Sequence, residues 1–373
     1  MCDVWTNGGL MTSPVAEAEV DVQTWGIKLS TVTPKRLSWM SKGRLAHGKM
    51  TDLAGDAGQG KTMVLLDWCA RYSRGGGLPD GVPDDKRHVI YMSVEDDVED
   101  TLVPRLMIAG ADLTYIHVVY RNPATGQFFH FPDDVEVLGE MIDAWNTGLI
   151  VIDPMQGFMA PGKTVNNGED VRYCYQPLVD AIKRPGVGVI TVRHHTKQIS
   201  VTNAAYRGAG SMQITAVVRA GLTVARSQKN PRQRVLAQNK ENLTERMPSL
   251  LFELQSVPGE DHPRVEWMGE TDEGADELLM DPRERGELNR AREWIRSALS
   301  DGPKLGRELL TAWREEGGSD RTLRDAANSM NVDYRRDGFG QGSRVEWALP
   351  KLPYGLSWTA SAGTGLSEDF PEE

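Results

Sequence analysis

Cysteine is scarce: Cys2, Cys69 and Cys174 are the only three, and their spacing fits no metal-ligand pattern. Three such thiols do not make a disulfide framework, so a reduced, cytoplasmic protein is expected. No run of eighteen apolar residues occurs, which excludes a membrane-spanning helix and any membrane partner that would need one. The opening residues, Met1-Cys2-Asp3-Val4-Trp5, show no basic stretch leading into an apolar one, so no secretory signal is expected. An excess of positive charge is also missing: 42 Lys and Arg stand against 53 Asp and Glu, a net charge of −11. That balance excludes a protein that coats nucleic acid with its whole surface, but leaves room for a local basic channel. No internal repeat is visible.

The 373 residues are enough for two or three domains with a sizeable core, and 39% apolar with 25% charged residues is ordinary for a globular chain. Residues 1–35 are acidic and aperiodic, and are expected to form a flexible arm. From residue 36 to 270 short apolar runs alternate with helical stretches, the pattern of an α/β domain with a mainly parallel sheet. Strands are expected at 49–54, 88–94, 116–120, 149–153 and 187–193, with helices at 61–73, 97–109, 135–146 and 171–183. Beyond Gly208 the runs 217–226, 234–239, 250–256 and 264–268 have no helices between them, so antiparallel strands appended to the sheet edge are expected. An acidic linker is expected at 271–283. Residues 284–353 read helix, helix, helix, hairpin (285–300, 305–316, 321–330, then 334–337 with 343–349), the order of a small winged helix-turn-helix domain. Residues 354–373 are expected to be disordered.

The segment Gly55-Asp56-Ala57-Gly58-Gln59-Gly60-Lys61-Thr62 satisfies G-x-x-x-x-G-K-[ST] at every fixed position. Glycines let backbone amides turn toward phosphates, and the following helix presents its positive end to them. Lys61 would reach the β and γ phosphates, and the Thr62 hydroxyl would ligate Mg²⁺. An apolar strand before the loop and a helix-forming run after it supply the required context, so all eight residues are candidates for binding ATP.

A second acid is needed for the metal. The run Leu149-Ile150-Val151-Ile152 ends in Asp153, which would hold Mg²⁺ from the strand's carboxyl end; an ordinary strand-end Asp beside Pro154 is the plainer alternative. Hydrolysis also needs a group that deprotonates or orients water. The strand from Val89 ends in Glu95, Asp96 and Asp97. Glu95 is the candidate base on the expectation that this strand lies beside the phosphate-loop strand, and Asp97 is a candidate helix cap. All three as solvated turn carboxylates is the alternative.

With these motifs in place the chain resembles the RepA-like branch of hexameric RecA-type ATPases, the plasmid and phage replicative helicases and their relatives. The resemblance covers roughly residues 39–242. It rests on the phosphate loop, Tyr91-Met92-Ser93-Val94-Glu95-Asp96, Asp153-Pro154, His194-His195-Thr196-Lys197, Arg207-Gly208-Ala209-Gly210-Ser211, Arg219 and Lys240-Glu241-Asn242. It implies a RecA-like P-loop core in which His194 senses the γ phosphate. An arginine from a neighbouring subunit, Arg219 or alternatively Arg207, would complete the site. It also implies that the loop 197–209 and the loop after Asp153, with Lys163 and Asn166, face a central channel. Read from the residues alone, His194 is equally a half-buried strand-end histidine, Arg219 could answer an internal carboxylate, and both loops are plain surface.

The C-terminal segment resembles the winged-helix tail of some actinobacterial and phage members. Ser319 would cap a recognition helix, and Arg321, Arg324, Arg335 and Arg336 would meet phosphates or base edges. Between residues 284 and 351 there are 13 basic and 12 acidic residues, so the segment is close to neutral. Its partner is DNA or a replication or recombination protein. The expectation for the whole is a homo-oligomeric, hexameric, DNA-dependent ATPase on single-stranded or forked DNA: a replicative or recombination helicase. The alternative is an ATP-switched DNA-binding adaptor, such as a helicase loader, recombination mediator or replication regulator, without processive unwinding. A small-molecule kinase has no acceptor-binding motif to support it.

Overall fold

A computed structural model describes residues 28–79, 81, 85–184, 186–194, 204, 212–280, 282–337 and 344–350. The chain divides into two compact units, Met1–Ser38 and Trp39–Glu373. The described part of the first holds one helical turn, Leu29–Thr31.

The second unit begins with a two-stranded ribbon, β1 (Trp39–Ser41) and β2 (Leu45–Ala46), and then the phosphate-loop strand β3 (Met50–Gly55), which leads into α1 (Lys61–Ser73). There follow β4 (His88–Ser93), a π-helical turn at Val98–Leu102 continuing as α2 (Val103–Ile108), β5 (Ile116–Val118) and α3 (Val135–Ala144). Next come β6 (Thr147–Asp153), α4 (Gly168–Ala181), β7 (Gly188–His194), α5 (Met212–Val217) and β8 (Ala220–Arg226). Strands β9 (Gln233–Glu241), β10 (Ser249–Ser256) and β11 (Pro263–Thr271) complete a nine-stranded sheet in the order β11-β10-β9-β8-β3-β7-β6-β4-β5.

Strands β5, β4, β6, β7, β3 and β8 are parallel, and β9 to β11 continue the sheet antiparallel. The run 217–226, expected among the antiparallel strands, is thus corrected in part: its first residue closes α5, and the strand, which ends at Arg226 as expected, is antiparallel to β9 but parallel to β3. The central strands read as unbroken apolar runs because both faces are covered. The alternation in β6 divides them: Ile150 and Ile152 join the core under α3 and α4, while Leu149 and Val151 join the core under α1 and α2. Trp68 and Val64 of α1 are fully buried in that second core with Phe252 of β10. Strand β11 is tied to the same helix, since Trp267 Nε1 donates a 2.8 Å bond to Asp67 Oδ2.

The stretch 271–283 is not an extended linker. It contains α6 (Ala275–Leu279), whose buried Ala275 and Leu278 pack on Ala225, Val235 and Ala237, and Glu273 is buried accepting from Ser227 and Gln228. Its acids are also anchors: Glu277 pairs with Arg292 at 3.1 Å. Then come α7 (Pro282–Ala298), β12 (Lys304–Leu305), α8 (Gly306–Glu315), α9 (Asp320–Ser329), β13 (Asp333–Asp337) and β14 (Arg344–Ala348). The last three strands form a small sheet ordered β12-β14-β13. Leu309, Trp313, Leu323 and Trp347 centre a separate core there. Ser319 caps α9, accepting a 3.1 Å bond from Thr322 N.

Candidate nucleotide site

The carboxyl edge of the parallel strands carries the site. Strand β3 ends at Gly55, and the loop returns to α1 through Gly58 (φ +73°) and Gly60 (φ +95°), backbone conformations that other residues rarely adopt. Lys61, 6% exposed, folds back along the loop and donates 2.9 Å bonds to Gly55 O and Asp56 O. Its Nζ also lies 3.3 Å from His194 Nδ1, because the register sets Gly55 beside His194. Burial pushes the Lys61 pKa down, while the charges of Asp153, Asp56 and Glu95 oppose that shift. Desolvation first, then the Lys61 charge, lowers the His194 pKa. A cation held by two loop carbonyls, with no carboxylate bonded to it among the described residues, suits an incoming phosphate.

Asp153, at the end of fully buried β6, accepts a 2.9 Å bond from Thr62 Oγ1 and a 3.3 Å bond from Tyr91 OH. Burial raises its pKa to about 6, with Glu95 and Asp96 adding to the rise and the two hydroxyls opposing it. Thr62 and Asp153 are thereby adjacent, a hydroxyl and a carboxylate of the kind that hold Mg²⁺ while phosphates and water supply its other ligands.

Strand β4 is not beside β3, contrary to the expectation for Glu95. It pairs with β6 and β5, with β7 and β6 lying between it and the phosphate-loop strand, and its register sets Ser93 beside Asp153. The physical consequence is that Glu95 approaches from the Asp153 side. It is exposed just beyond the strand, and its charge is felt at Lys61, Asp153 and His194 alike. Asp96 pairs with Arg105 at 3.3 Å, and Asp97 caps the π-helical turn, accepting from Glu99 N and Asp100 N.

Arg219 lies elsewhere. Its backbone N–H donates to Met50 O, at the opposite end of β3 from Gly55, about 16 Å along the strand at ~3.3 Å per residue. Its side chain is exposed. Arg207 and the loop 197–209, apart from Ala204, lie outside the described residues. Lys163 pairs with Asp170 at 2.9 Å, so a carboxylate of α4 already answers its charge; Asn166 is exposed in the same loop.

Three features had no signal in the sequence. Arg193 of β7 donates a 2.6 Å bond to Asp52 of β3, a buried pair directly under the site. Tyr91 reaches Asp153 from the neighbouring strand. Arg234 of β9 lies against the loop, its Cδ 3.5 Å from the place a Cβ on Gly60 would take. Its Nε, like Gln59 Oε1, is buried with no hydrogen-bond partner among the described residues. These contacts join segments 140 residues or more apart in the first case, and no local pattern encodes them.

A family model described as an AAA domain matches residues 16–199. The match takes in β1 to β7, with the phosphate loop, Glu95, Asp153 and His194, and stops before Arg219 and the C-terminal helices. It indicates a nucleotide-binding ATPase of the RecA-like class. No curated protein matches the chain. Among the described residues, no helix is long and apolar enough to cross a membrane.

Proposed function

We propose that the chain is an ATP-hydrolysing, DNA-dependent RecA-like motor working as a homo-oligomeric ring, a replicative or recombination helicase of the RepA-like type. The observation that carries the reading is the convergence of Lys61, Thr62, Asp153 and Glu95 on one sheet edge. Lys61 holds the β and γ phosphates of ATP, and Thr62 with Asp153 holds Mg²⁺, which neutralises phosphate charge when bound. Glu95 accepts a proton from the attacking water as its oxygen bonds to the γ phosphorus and the bond to ADP breaks. His194, already 3.3 Å from Lys61 Nζ, responds to the terminal phosphate. Arg219 is exposed and far from its own loop, which favours service to a neighbouring subunit. The exposed Arg321, Arg324 and Arg335 around the capped helix α9 support reading the C-terminal unit as a winged helix that meets DNA.

The test is the ATPase rate with and without single-stranded DNA, measured alongside solution mass. A monomer indifferent to DNA would defeat the proposal. The C-terminal unit also favours a second reading, an ATP-switched adaptor without processive movement. Strand displacement on forked DNA separates the two.

A further inference from the structure

The C-terminal segment contains a cavity of about 530 Å³ that the nucleotide site does not use, though it shares Arg324 with the face proposed above for DNA. Its apolar lining comes from Leu305, Leu310, Val345 and Trp347, with the half-exposed Tyr334 standing edge-on to Trp347, ring centroids 5.2 Å apart. Gly306 keeps the floor open: a Cβ there would fall 2.4 Å from Trp347 Nε1. Arg307 of α8, Arg324 of α9 and Arg344 of β14 complete the lining, all exposed. Three other arginines nearby are paired with carboxylates, Arg314 with Asp320 at 2.6 Å, Arg292 with Glu277 at 3.1 Å and Arg321 with Asp325 at 3.7 Å, while Arg285 and Arg290 donate to backbone carbonyls. The three at the cavity have no ion pair among the described residues. An apolar hollow of ligand size ringed by three guanidinium groups without ion pairs fits an acidic peptide with an aromatic anchor.

The chain carries such a segment. Residues 351–373 contain four acids, Glu368, Asp369, Glu372 and Glu373, all within the last six positions and flanking Phe370-Pro371. We propose that residues 366–373 dock in this cavity of their own chain, Phe370 entering the apolar hollow and the flanking carboxylates pairing with Arg307, Arg324 and Arg344. Reach is sufficient. Phe370 follows Pro350 by twenty residues, which allow a reach of at most about 66 Å at ~3.3 Å per residue. Pro350 is only five residues beyond Val345 in the cavity wall, at most about 17 Å of extended chain. Tethering at that range gives an effective concentration on the order of millimolar, so modest contacts suffice. Nucleic acid is the less favoured occupant. The segment 284–351 is nearly neutral within a chain of net charge −11, which gives a polyphosphate little long-range attraction, and a tethered peptide needs none. A docked segment would cover Arg324 and so hold back polyanions from this face. The inference does not depend on the ATPase reading.

The experiment places a photo-reactive residue, Phe370→p-benzoylphenylalanine, in the full-length protein and maps cross-links by mass spectrometry. Attachment within the same chain to 305–310 or 345–347 is expected. Arg307→Glu with Arg344→Glu should lower its yield at least about tenfold, the equilibrium equivalent of about 1.4 kcal/mol. Glu368→Arg with Asp369→Arg, which cannot disturb the cavity's fold, should lower it alike, and combining the four changes should restore it. Absent or scattered attachment, or a yield indifferent to the tail charges, would overturn the proposal. So would attachment between isotopically distinct chains, which makes a second copy the occupant. It also fails if a single-stranded oligonucleotide cross-links to Tyr334 and Trp347 equally well with native and charge-reversed tails.

Discussion

Thr62 Oγ1 donates a 2.9 Å hydrogen bond to Asp153 Oδ2, joining the first turn of α1 to the end of β6 across 91 positions of sequence. The bond holds a carboxylate that burial keeps from ionising freely, with a pKa of about 6 against an ordinary 3.8. The folded protein therefore binds this proton more tightly than the unfolded chain. Stability falls as pH rises from about 4 to about 6 and stays level above, at a cost on the order of 2–3 kcal/mol. Asp153→Asn removes that cost. The variant should melt a few degrees higher than the native protein at pH 8, with the difference vanishing near pH 4, while its ATPase is lost. A lower melting temperature at pH 8 would refute the desolvation argument.

Lys61→Ala should leave the nucleotide-free protein about as stable as before, since a buried cation leaves with its own desolvation cost. ATP binding should suffer instead. Saturating ATP at a hundred times its Kd stabilises a native protein by about 2.7 kcal/mol. Calorimetric melting with and without Mg²⁺ and ATP should show that rise in the native chain and none in the variant.

Glu95 and Asp96 are adjacent in sequence but differ in partners, because Asp96 pairs with Arg105 while Glu95 stands exposed toward the site. Glu95→Gln should retain ATP and slow turnover by about 10²–10⁴-fold, the usual scale for a general base. Asp96→Asn should slow it much less. Single-turnover hydrolysis compares the two, and a reversed order would move the base to Asp96.

Arg219→Ala should leave ATP binding intact and reduce hydrolysis by about 10³–10⁵-fold if the guanidinium acts across a subunit boundary. Mixing it with Glu95→Gln protein should restore partial activity, since some interfaces then pair an intact Glu95 with an intact Arg219. Mixed oligomers without activity would rule out the trans role. Rescue by Arg207→Ala alone would transfer the role to Arg207.

Asp52 and Arg193 form a buried pair beneath the site, and burial raises the Asp52 pKa despite the arginine beside it. Arg193→Met alone should cost about 3–5 kcal/mol, because it strands the carboxylate. Adding Asp52→Leu should recover much of that loss. Urea unfolding of Arg193→Met, Asp52→Leu and the double variant decides the matter; additive losses would show that the two residues act separately.

Contiguous patterns were enough for part of this protein. Eight successive residues spell the phosphate loop, and the apolar run into Asp153 and the helix beginning at Lys61 follow from local spacing and from glycines that alone tolerate the turn. Backbone geometry and burial period are local properties, so they can be read along the chain. Strand order is not local. The pattern could not say that β4 joins β6 instead of β3, or that β8, though antiparallel to β9, runs parallel to β3, because parallel strands meet through crossovers whose partners lie far apart in sequence. The tertiary structure therefore decided that Glu95 comes to the site from beside Asp153, that Tyr91 reaches the same carboxylate, that Asp52 meets Arg193 and that Arg234 lies against Gly60. It also decided which charges stay in water: Arg219, set in an apolar run, is exposed, while α6, set in an acidic one, is packed. Burial belongs to the assembled sheet, and a residue's neighbours in sequence carry only its one-dimensional shadow.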